Sequence, residues 1–365
     1  MRVSIRKWFV PAVVLVASCA KGTVPEEGPA PIAFWVEAAD LPVSRAPGEV
    51  DDLSLDGYSF GVLAYNTGRY PYVDSNVNPN FMYNEDITYS SETDRWSYSP
   101  VKYWPNGDGE ASLNTGINQE YLTFFAYAPY SDMKEDNPAG YCIPTISAQT
   151  EVGNPWLVYR IHADVTQQVD LLYAAPLMDQ VKPDVDDLVQ FNFKHALACV
   201  AEKVSVSCSP AMTYYLDEEA AESGVKIQVL LNTVRAKYHL TERAKLPLWN
   251  TGPTARWQPV LNGELTTDRT VTYGTGLGHC LYSTHAEETE GAWSTEEGVG
   301  VFYIPLDMEG DPQTVTLMVD YTVRRISGDG TADTAEHRET SFRLNSYPEA
   351  FLPGKKLSNV GIVIL

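Results

Sequence analysis

One stretch near the N-terminus constrains what the chain can fold into: Pro31–Arg45, PIAFWVEAADLPVSR, an apolar strand followed by a basic residue. Ile32, Phe34 and Val36 alternate with the residues between them, so they share one face of the strand. An apolar strand left unpaired promotes aggregation. We therefore expect this strand to fill a groove in the body of the protein.

The residues after this strand predict an exposed loop. Arg45 is followed by Ala46, Pro47 and Gly48, and proline and glycine interrupt the alternation. Exposed loops of this kind are preferred sites of proteolysis. We therefore predict cleavage between Arg45 and Ala46, which makes residues 19–45 a tether and a removable N-terminal strand, that is, a propeptide.

The first 18 residues predict an export signal. Met1–Lys7 is basic, and Trp8–Val16 is an apolar segment too short to span a bilayer. The next residues, Val16–Cys19, resemble the bacterial lipobox, in which small residues precede a cysteine that is acylated. We expect lipid on Cys19, palmitate included, to hold the chain at the cell outer membrane. The alternative is an ordinary cleavable signal.

Charge excludes two classes of partner. The formal net charge is −22, and it becomes −25 without residues 1–18, because these contain three basic residues and no acids. Such a surface repels nucleic acid and anionic lipid headgroups. We expect no nucleic-acid partner and an extracellular location at the cell surface; the alternative is that the acidity only keeps the protein soluble.

The rest of the chain alternates short apolar segments with turn residues, a texture typical of β-sandwiches. The clearest strand segments are residues 58–65, 121–130, 169–175, 189–206, 225–231, 314–326 and 357–365. Met212–Ser223 is the one helix candidate after the signal. The acidic segment 183–187 begins with proline and predicts a linker, which places a first domain at 46–186 and a second at 187–365.

We find no arrangement of residues that predicts catalysis, a cofactor or a metal centre, so we expect no enzyme. The six histidines are scattered, and no GxSxG, HExxH or P-loop is present. Gly274–Gly278 is glycine-rich and predicts a loop. The acidic segments 307–311 and 328–333 could bind Ca²⁺, although solvated loops are the favoured interpretation. Four tryptophans could stack on sugars, although core packing is the favoured interpretation: Trp96, Trp104, Trp249 and Trp257.

Four cysteines remain after Cys19, and they show no metal-binding spacing. Cys199 and Cys208 lie at odd separation in one expected strand, so they face opposite sides and cannot pair with each other. Pairing of either with Cys142 or Cys280 stays open. Buried thiols are the favoured interpretation.

Five segments together resemble the fimbrillin family, the lipoprotein pilins of type V pili. These segments are Tyr58–Tyr65, Trp96–Pro105, Leu122–Tyr130, Val169–Ala174 and Phe191–Ala198. The resemblance extends over essentially the whole chain after the signal. It implies an all-β fold with two tandem transthyretin-like β-sandwich domains after a lipoprotein signal peptide and tether.

The resemblance also implies an assembly route. A trypsin-like or Arg-specific protease outside the cell removes the N-terminal strand, and the vacated groove accepts a strand from the next subunit. Other fimbrial subunits are then the partners in a head-to-tail polymer that supports adhesion to host or bacterial surfaces. The matching positions are Cys19 for the lipid, Arg45 and Ala46 for cleavage, and Val360, Ile362 and Ile364 for a donor strand.

Two alternatives stay open. The chain ends directly after Leu357–Leu365, so this strand could close its own second domain instead of being donated. The protein would then be an anchor, accessory or tip subunit, and an anchor would keep its lipid and stay uncut at Arg45. A surface glycan-binding lipoprotein is the alternative from another functional class.

Overall fold

The computed structural model describes residues 30–38, 59–105, 120–133, 142–182, 188–252, 254–260, 266–295, 300–306, 312–329, 333–344, 354 and 356–365. Within these ranges the chain forms nineteen strands and one α-helix, which confirms the predicted all-β class. Four predicted features lie outside the described residues: the export signal, Cys19, the Arg45–Ala46 bond and the linker at 183–187.

Ten of the described strands precede Ala196, and we call this part of the sequence the first half of the chain. They are β1 (Ala33–Ala38), β2 (Ser59–Gly68), β3 (Met82–Ser90), β4 (Arg95–Ser97), β5 (Tyr121–Ala128), β6 (Cys142–Ile146), β7 (Trp156–Arg160), β8 (Leu172–Ala174), β9 (Leu177–Gln180) and β10 (Leu188–His195).

The second half contributes the remaining elements of the described chain. They are β11 (Ala198–Cys208), α1 (Pro210–Ser223), β12 (Val225–Thr241), β13 (Arg243–Pro247), β14 (Thr266–Ser283), β15 (Trp293–Ser294), β16 (Val301–Tyr303), β17 (Thr314–Ser327), β18 (Asp333–Arg343) and β19 (Lys356–Ile364).

These strands form four sheets. The largest has the order β1-β10-β8-β5-β2-β3-β4, with β9 also paired to β5. A second sheet has the order β15-β11-β16, with β19 paired to β11, and a third has the order β14-β12-β17-β18. The fourth, β13-β7-β6, takes strands from both halves of the chain.

Strand β5 contributes to two hydrophobic cores because its side chains are buried on both faces, as its continuous apolar run predicts. Leu122 and Phe124 face a core made mainly by the first sheet, which we call the N-terminal core. Phe125 and Tyr127 face a larger core that includes residues from both halves, which we call the shared core. The first sheet is therefore covered on each face.

The two halves of the chain are packed against each other. Strand β13 of the second half pairs with β7 of the first. The ring of Tyr72 stacks on that of Trp249, with centroids 5.7 Å apart and an interplanar angle of 17°. A division into two tandem domains stays a prediction. Strand β10 belongs to the first sheet, so sheet membership changes at Ala196-Leu197, later than the expected boundary at 186/187.

Backbone hydrogen bonds hold this connection in place. The amide of Ala196 donates to the carbonyl of Leu171 at 2.7 Å, and its carbonyl accepts from the buried Trp257 Nε1 at 2.9 Å. The carbonyl of Leu197 accepts from the amide of Gly354 at 2.8 Å. Buried backbone groups need such partners, so the segment between β10 and β11 is fully integrated into the fold.

Helix α1 confirms the helix predicted at Met212–Ser223 and begins two residues earlier. The Ser209 side chain caps it by accepting from the amide of Met212 at 3.0 Å, Pro210 begins its first turn, and Gly224 ends it in a left-handed conformation. No helix in the described ranges is long and apolar enough to cross a bilayer.

Two features of the third sheet differ from the sequence expectations. The segment Gly274–Gly278, predicted to be a loop, lies inside β14, where Gly276 (φ +60°) adopts a left-handed conformation close to a shift in the pairing with β12. Glycine allows that irregularity within a strand. Strand β18 has mostly exposed side chains and a polar sequence, so no apolar alternation revealed it.

The four cysteines after Cys19 are present as thiols in the structure. Cys199 and Cys280 are buried, whereas Cys142 and Cys208 are half-buried. Burial, together with the nearby Cys280, raises the pKa of the Cys208 thiol to about 11. Because the thiolate is the reactive form, Cys208 is an unreactive thiol at neutral pH.

We predict that Trp257→Phe lowers the free energy of unfolding by about 1 to 3 kcal/mol, since the Ala196 carbonyl then stays buried without its indole partner. Urea unfolding followed by circular dichroism measures the change. Trp156→Phe is the matched control, because Trp156 Nε1 bonds the carboxylate of Glu151 near solvent. Equal effects of the two substitutions would contradict the role given to Trp257.

Candidate functional site

The candidate site is the groove that strand β1 fills at the open edge of the first sheet. On one side, β1 pairs in parallel with β10, from Ala33 opposite Leu188 to Ala38 opposite Phe193. On the other side, the amide of Ile32 donates to the Lys102 carbonyl at 2.9 Å. We call this the β1 groove, and Lys102–Trp104 its rim segment.

The inward face of β1, which Ile32 extends by one residue before the strand, consists of the three residues predicted to share a face. Ile32 and Phe34 are 2% and 3% exposed, and Val36 is half-buried against the same N-terminal core. Burial of two large apolar side chains stabilises the strand in the groove by about 3 to 6 kcal/mol relative to their exposure. The described residues thus place the strand inside the body, while its removal stays a prediction.

Phe34 lies in a cage of four aromatic rings. It stacks on Phe191 with centroids 5.9 Å apart and an interplanar angle of 16°. It meets Phe60 and Phe124 edge-on at 6.2 and 6.1 Å, and Tyr98 at 5.4 Å. Offset stacks and edge-on contacts are the favourable geometries for aromatic rings. The cage therefore makes Phe34 the main anchor of β1.

Tyr98 links β1 to the rim segment. Its hydroxyl donates to the carbonyl of Ile32 at 2.8 Å and accepts from the amide of Lys102 at 3.2 Å. Burial raises the pKa of Tyr98 to about 12, against the lowering effect of the hydrogen bond to the Lys102 backbone. The neutral phenol is the form that can donate to Ile32, so burial keeps this link intact.

The outward face of β1 is part of an exposed apolar strip along the groove. Trp35 is 46% exposed, Leu188 on β10 is 44% exposed, and Tyr103 on the rim segment is 47% exposed. The alternation of β1 therefore separates a buried face from an accessible one. The groove can therefore discriminate between inserted strands only through the side chains on their inward face.

The C-terminal strand β19 lies in its own groove on the second sheet. It pairs in parallel with β11, and the carbonyl of Ile364 accepts from the amide of Ser209 at 2.8 Å. Ile362 and Ile364 are 3% and 1% exposed, and Val360 packs half-buried on the shared core. In this structure the strand closes its own core; donation to a neighbour stays a prediction.

The remaining candidate groups are engaged in packing or in local ion pairs. His195, at the end of β10, contacts the buried carboxylate of Asp170 through its Nδ1. Asp333, which ends the acidic segment 328–333, forms a bidentate contact with the guanidinium of Arg324 that lowers the pKa of its carboxyl group. The segment 307–311 lies outside the described residues. No group of three or more possible ligands for a metal occurs in the described ranges.

The four tryptophans considered for sugar stacking do not form exposed pairs. Trp96 and Trp104 are 8% and 3% exposed in the N-terminal core. Trp257 is buried, and Trp249 stacks on Tyr72. Core packing, the favoured interpretation, is therefore confirmed for three of the four rings, and neither pair forms a platform.

Sequence reasoning missed the second side of the groove. The rim segment and Tyr98 lie in Trp96–Pro105, a motif for which the sequence alone predicts no structural role. Its four aromatic residues, Trp96, Tyr98, Tyr103 and Trp104, were the available signal. Parallel pairing of β1 with β10 gave no local signal, because the two strands are far apart in sequence.

A model of the fimbrillin-like family matches residues 56–331, which is well over half of the chain. The chain therefore belongs to the fimbrillin-like family.

Two relatives illustrate the extent of the similarity. Fimbrium subunit Fim1C of Phocaeicola vulgatus is 29% identical over 175 residues, a match that covers 46% of this chain and 41% of that relative. A crystal structure of a fimbrial protein from Bacteroides vulgatus is similar with a TM-score of 0.52 and 18% identity. That match covers 84% of this fimbrillin-like chain and 88% of the other, and it supports the fold alone.

We predict that Phe34→Ala lowers the free energy of unfolding by about 3 to 5 kcal/mol, because it leaves a cavity among four rings that belong to other parts of the chain. Chemical denaturation measures the change. Trp35→Ala, the neighbouring position on the exposed face, is the control and should cost far less. A larger loss for Trp35→Ala would contradict the assigned anchor.

We also predict an alkaline loss of stability that depends on Tyr98. Its pKa is higher in the folded state than the ordinary value of 10, so its contribution is complete below pH 10 and falls as the pH approaches 12. Unfolding is measured from pH 8 to 11.5 in wild type and Tyr98→Phe, and the difference between them should shrink with pH. A difference between wild type and Tyr98→Phe that stays flat with pH would contradict the prediction.

Proposed function

We propose that this chain is a structural subunit of a cell-surface fimbrium that assembles by exchanging the strand in its β1 groove. It is exported as a lipoprotein acylated at Cys19 and held at the outer membrane. A trypsin-like or Arg-specific protease outside the cell cuts between Arg45 and Ala46. A strand from another fimbrial subunit then replaces β1, and the fibre supports adhesion to host or bacterial surfaces.

One observation carries this proposal: β1 completes the N-terminal core and yet precedes the predicted cleavage site in sequence. Its inward residues Ile32 and Phe34 are buried, and its hydrogen bonds join β10 to the rim segment. A cut after Arg45 would convert this integral strand into a peptide held only by non-covalent contacts. Replacement by a neighbouring strand then becomes an intermolecular equilibrium.

The physical cost of an empty groove favours replacement over simple loss of the strand. Departure of β1 exposes the rings of Phe60, Phe124 and Phe191, each of which is fully buried. It also leaves backbone groups of β10 and the rim segment without their partners. An incoming strand restores both main-chain bonds and side-chain packing. Because each subunit accepts at one site and donates from another, the assembly is head-to-tail and extends as a filament.

The burial of β19 in its own chain favours a role other than that of a repeating stalk subunit. Ile362 and Ile364 are buried in the core of their own chain. Donation of this strand would open the second core, so an accessory, tip or anchor subunit is the second candidate function. A tip or accessory subunit would still accept a strand in its β1 groove, whereas an anchor would keep its lipid on Cys19.

We predict that Arg45→Ala leaves a full-length, monomeric lipoprotein on the membrane, because β1 stays covalently attached and blocks the groove. N-terminal sequencing of surface protein should find Ala46 in wild type, and electron microscopy should show fibres only there. The exposed Arg69→Ala is the matched control and should assemble normally.

Two outcomes would redirect the proposal. Normal fibres from the Arg45→Ala variant would show that cleavage at this bond is not required. Wild-type surface protein that begins at lipidated Cys19 would instead support the anchor role.

A further inference from the structure

We infer that the β1 groove selects a strand with an aromatic side chain at the position of Phe34, and that this strand comes from a different subunit. The inference rests on the proposed strand exchange and specifies the partner. It follows from two observations: the geometry of the cage and the composition of this chain's own C-terminal strand.

The cage is shaped for a flat ring. Phe191 supplies a parallel face, while Phe60 and Phe124 present rings at nearly right angles to Phe34, at 88° and 84°. A branched aliphatic side chain offers no face to stack and no edge to direct at a neighbouring ring. Ring geometry therefore distinguishes an aromatic residue from an aliphatic one of similar hydrophobicity.

The cage cannot collapse easily around a smaller side chain. Phe60 and Phe124 lie on β2 and β5, which pair with each other and with further strands on their outer edges. Phe60 also packs against Trp96, with ring centroids 4.9 Å apart. Close-packed cores relax only in part when a side chain shrinks, so an aliphatic replacement leaves a cavity.

The C-terminal strand of this chain does not match the cage. Strand β19 has the sequence KLSNVGIVI and contains no aromatic residue, so no register or direction of insertion supplies a ring. Its inward residues Ile362 and Ile364 already fill the core of their own chain. A second copy of this chain would therefore leave the cage underfilled and open its own second core.

These points define the partner chemically. It is an extended apolar segment from another protein of the fibre, with an aromatic residue flanked at two-residue spacing by aliphatic residues, as Phe34 is flanked by Ile32 and Val36. The outward residues are less constrained, because Trp35 faces solvent. The subunit therefore joins a fibre of mixed composition at this end.

Peptide competition tests the inference. In the test protein, which begins at residue 20, a site for a sequence-specific protease replaces residues 45–49. The folded protein is then cut at that site. A fluorescent peptide of residues 30–38 exchanges into the nicked protein, and unlabelled peptides compete for the groove. Three competitors have the sequence of residues 30–38: the unchanged peptide, one with Phe34→Ile and one with Trp35→Val. Two have the sequence of residues 356–365: the unchanged peptide and one with Ile362→Phe.

We expect Phe34→Ile to weaken competition at least about tenfold and Trp35→Val to change it less than about threefold. The peptide of residues 356–365 should compete poorly, and Ile362→Phe should improve it several-fold. Equal competition by the peptides of residues 30–38 and 356–365, or a Phe34→Ile effect below twofold, would overturn the aromatic selection. Absence of any exchange by the labelled peptide would instead overturn strand replacement itself.

Discussion

The structure of the first sheet depends on the packing of one side chain, Phe34, among the rings of Phe60, Tyr98, Phe124 and Phe191. These rings come from separate parts of the chain, and β1 is the element that brings an additional ring to their centre. Without it, the N-terminal core is open at the edge between β10 and the rim segment. An integral part of the hydrophobic core therefore resides in a strand that precedes the predicted cleavage site.

Both terminal strands of the described chain use the same local architecture. Strand β1 is parallel to β10, and β19 is parallel to β11, and β10 and β11 are separated only by Ala196-Leu197. Parallel neighbours cannot be joined by a tight turn, so each terminal strand reaches its partner from a distant part of the sequence. The hydrogen bonds of Ala196 and Leu197 hold the segment between the two pairings in place.

The shared core connects the two halves of the chain. The sheet formed by β13, β7 and β6, together with the stack of Tyr72 on Trp249, joins the two halves of the chain. In the proposed fibre, a load applied through a strand in the β1 groove would pass to the second half through packed side chains and a continuous backbone.

Part of the fold and of the candidate site was predictable from the sequence because strand alternation is a local property. It identified the all-β class, the shared inward face of Ile32, Phe34 and Val36, and helix α1, whose cap and glycine terminator are local signals. Local alternation failed for β18, whose side chains are polar, and for Gly274–Gly278, which form an irregular part of β14. Pairing between distant segments was decided only by the tertiary structure: the parallel register of β1 on β10, the role of Tyr98 and the sheet shared by both halves. Such pairings depend on which distant surfaces pack best together, and the local pattern of residues does not specify that choice.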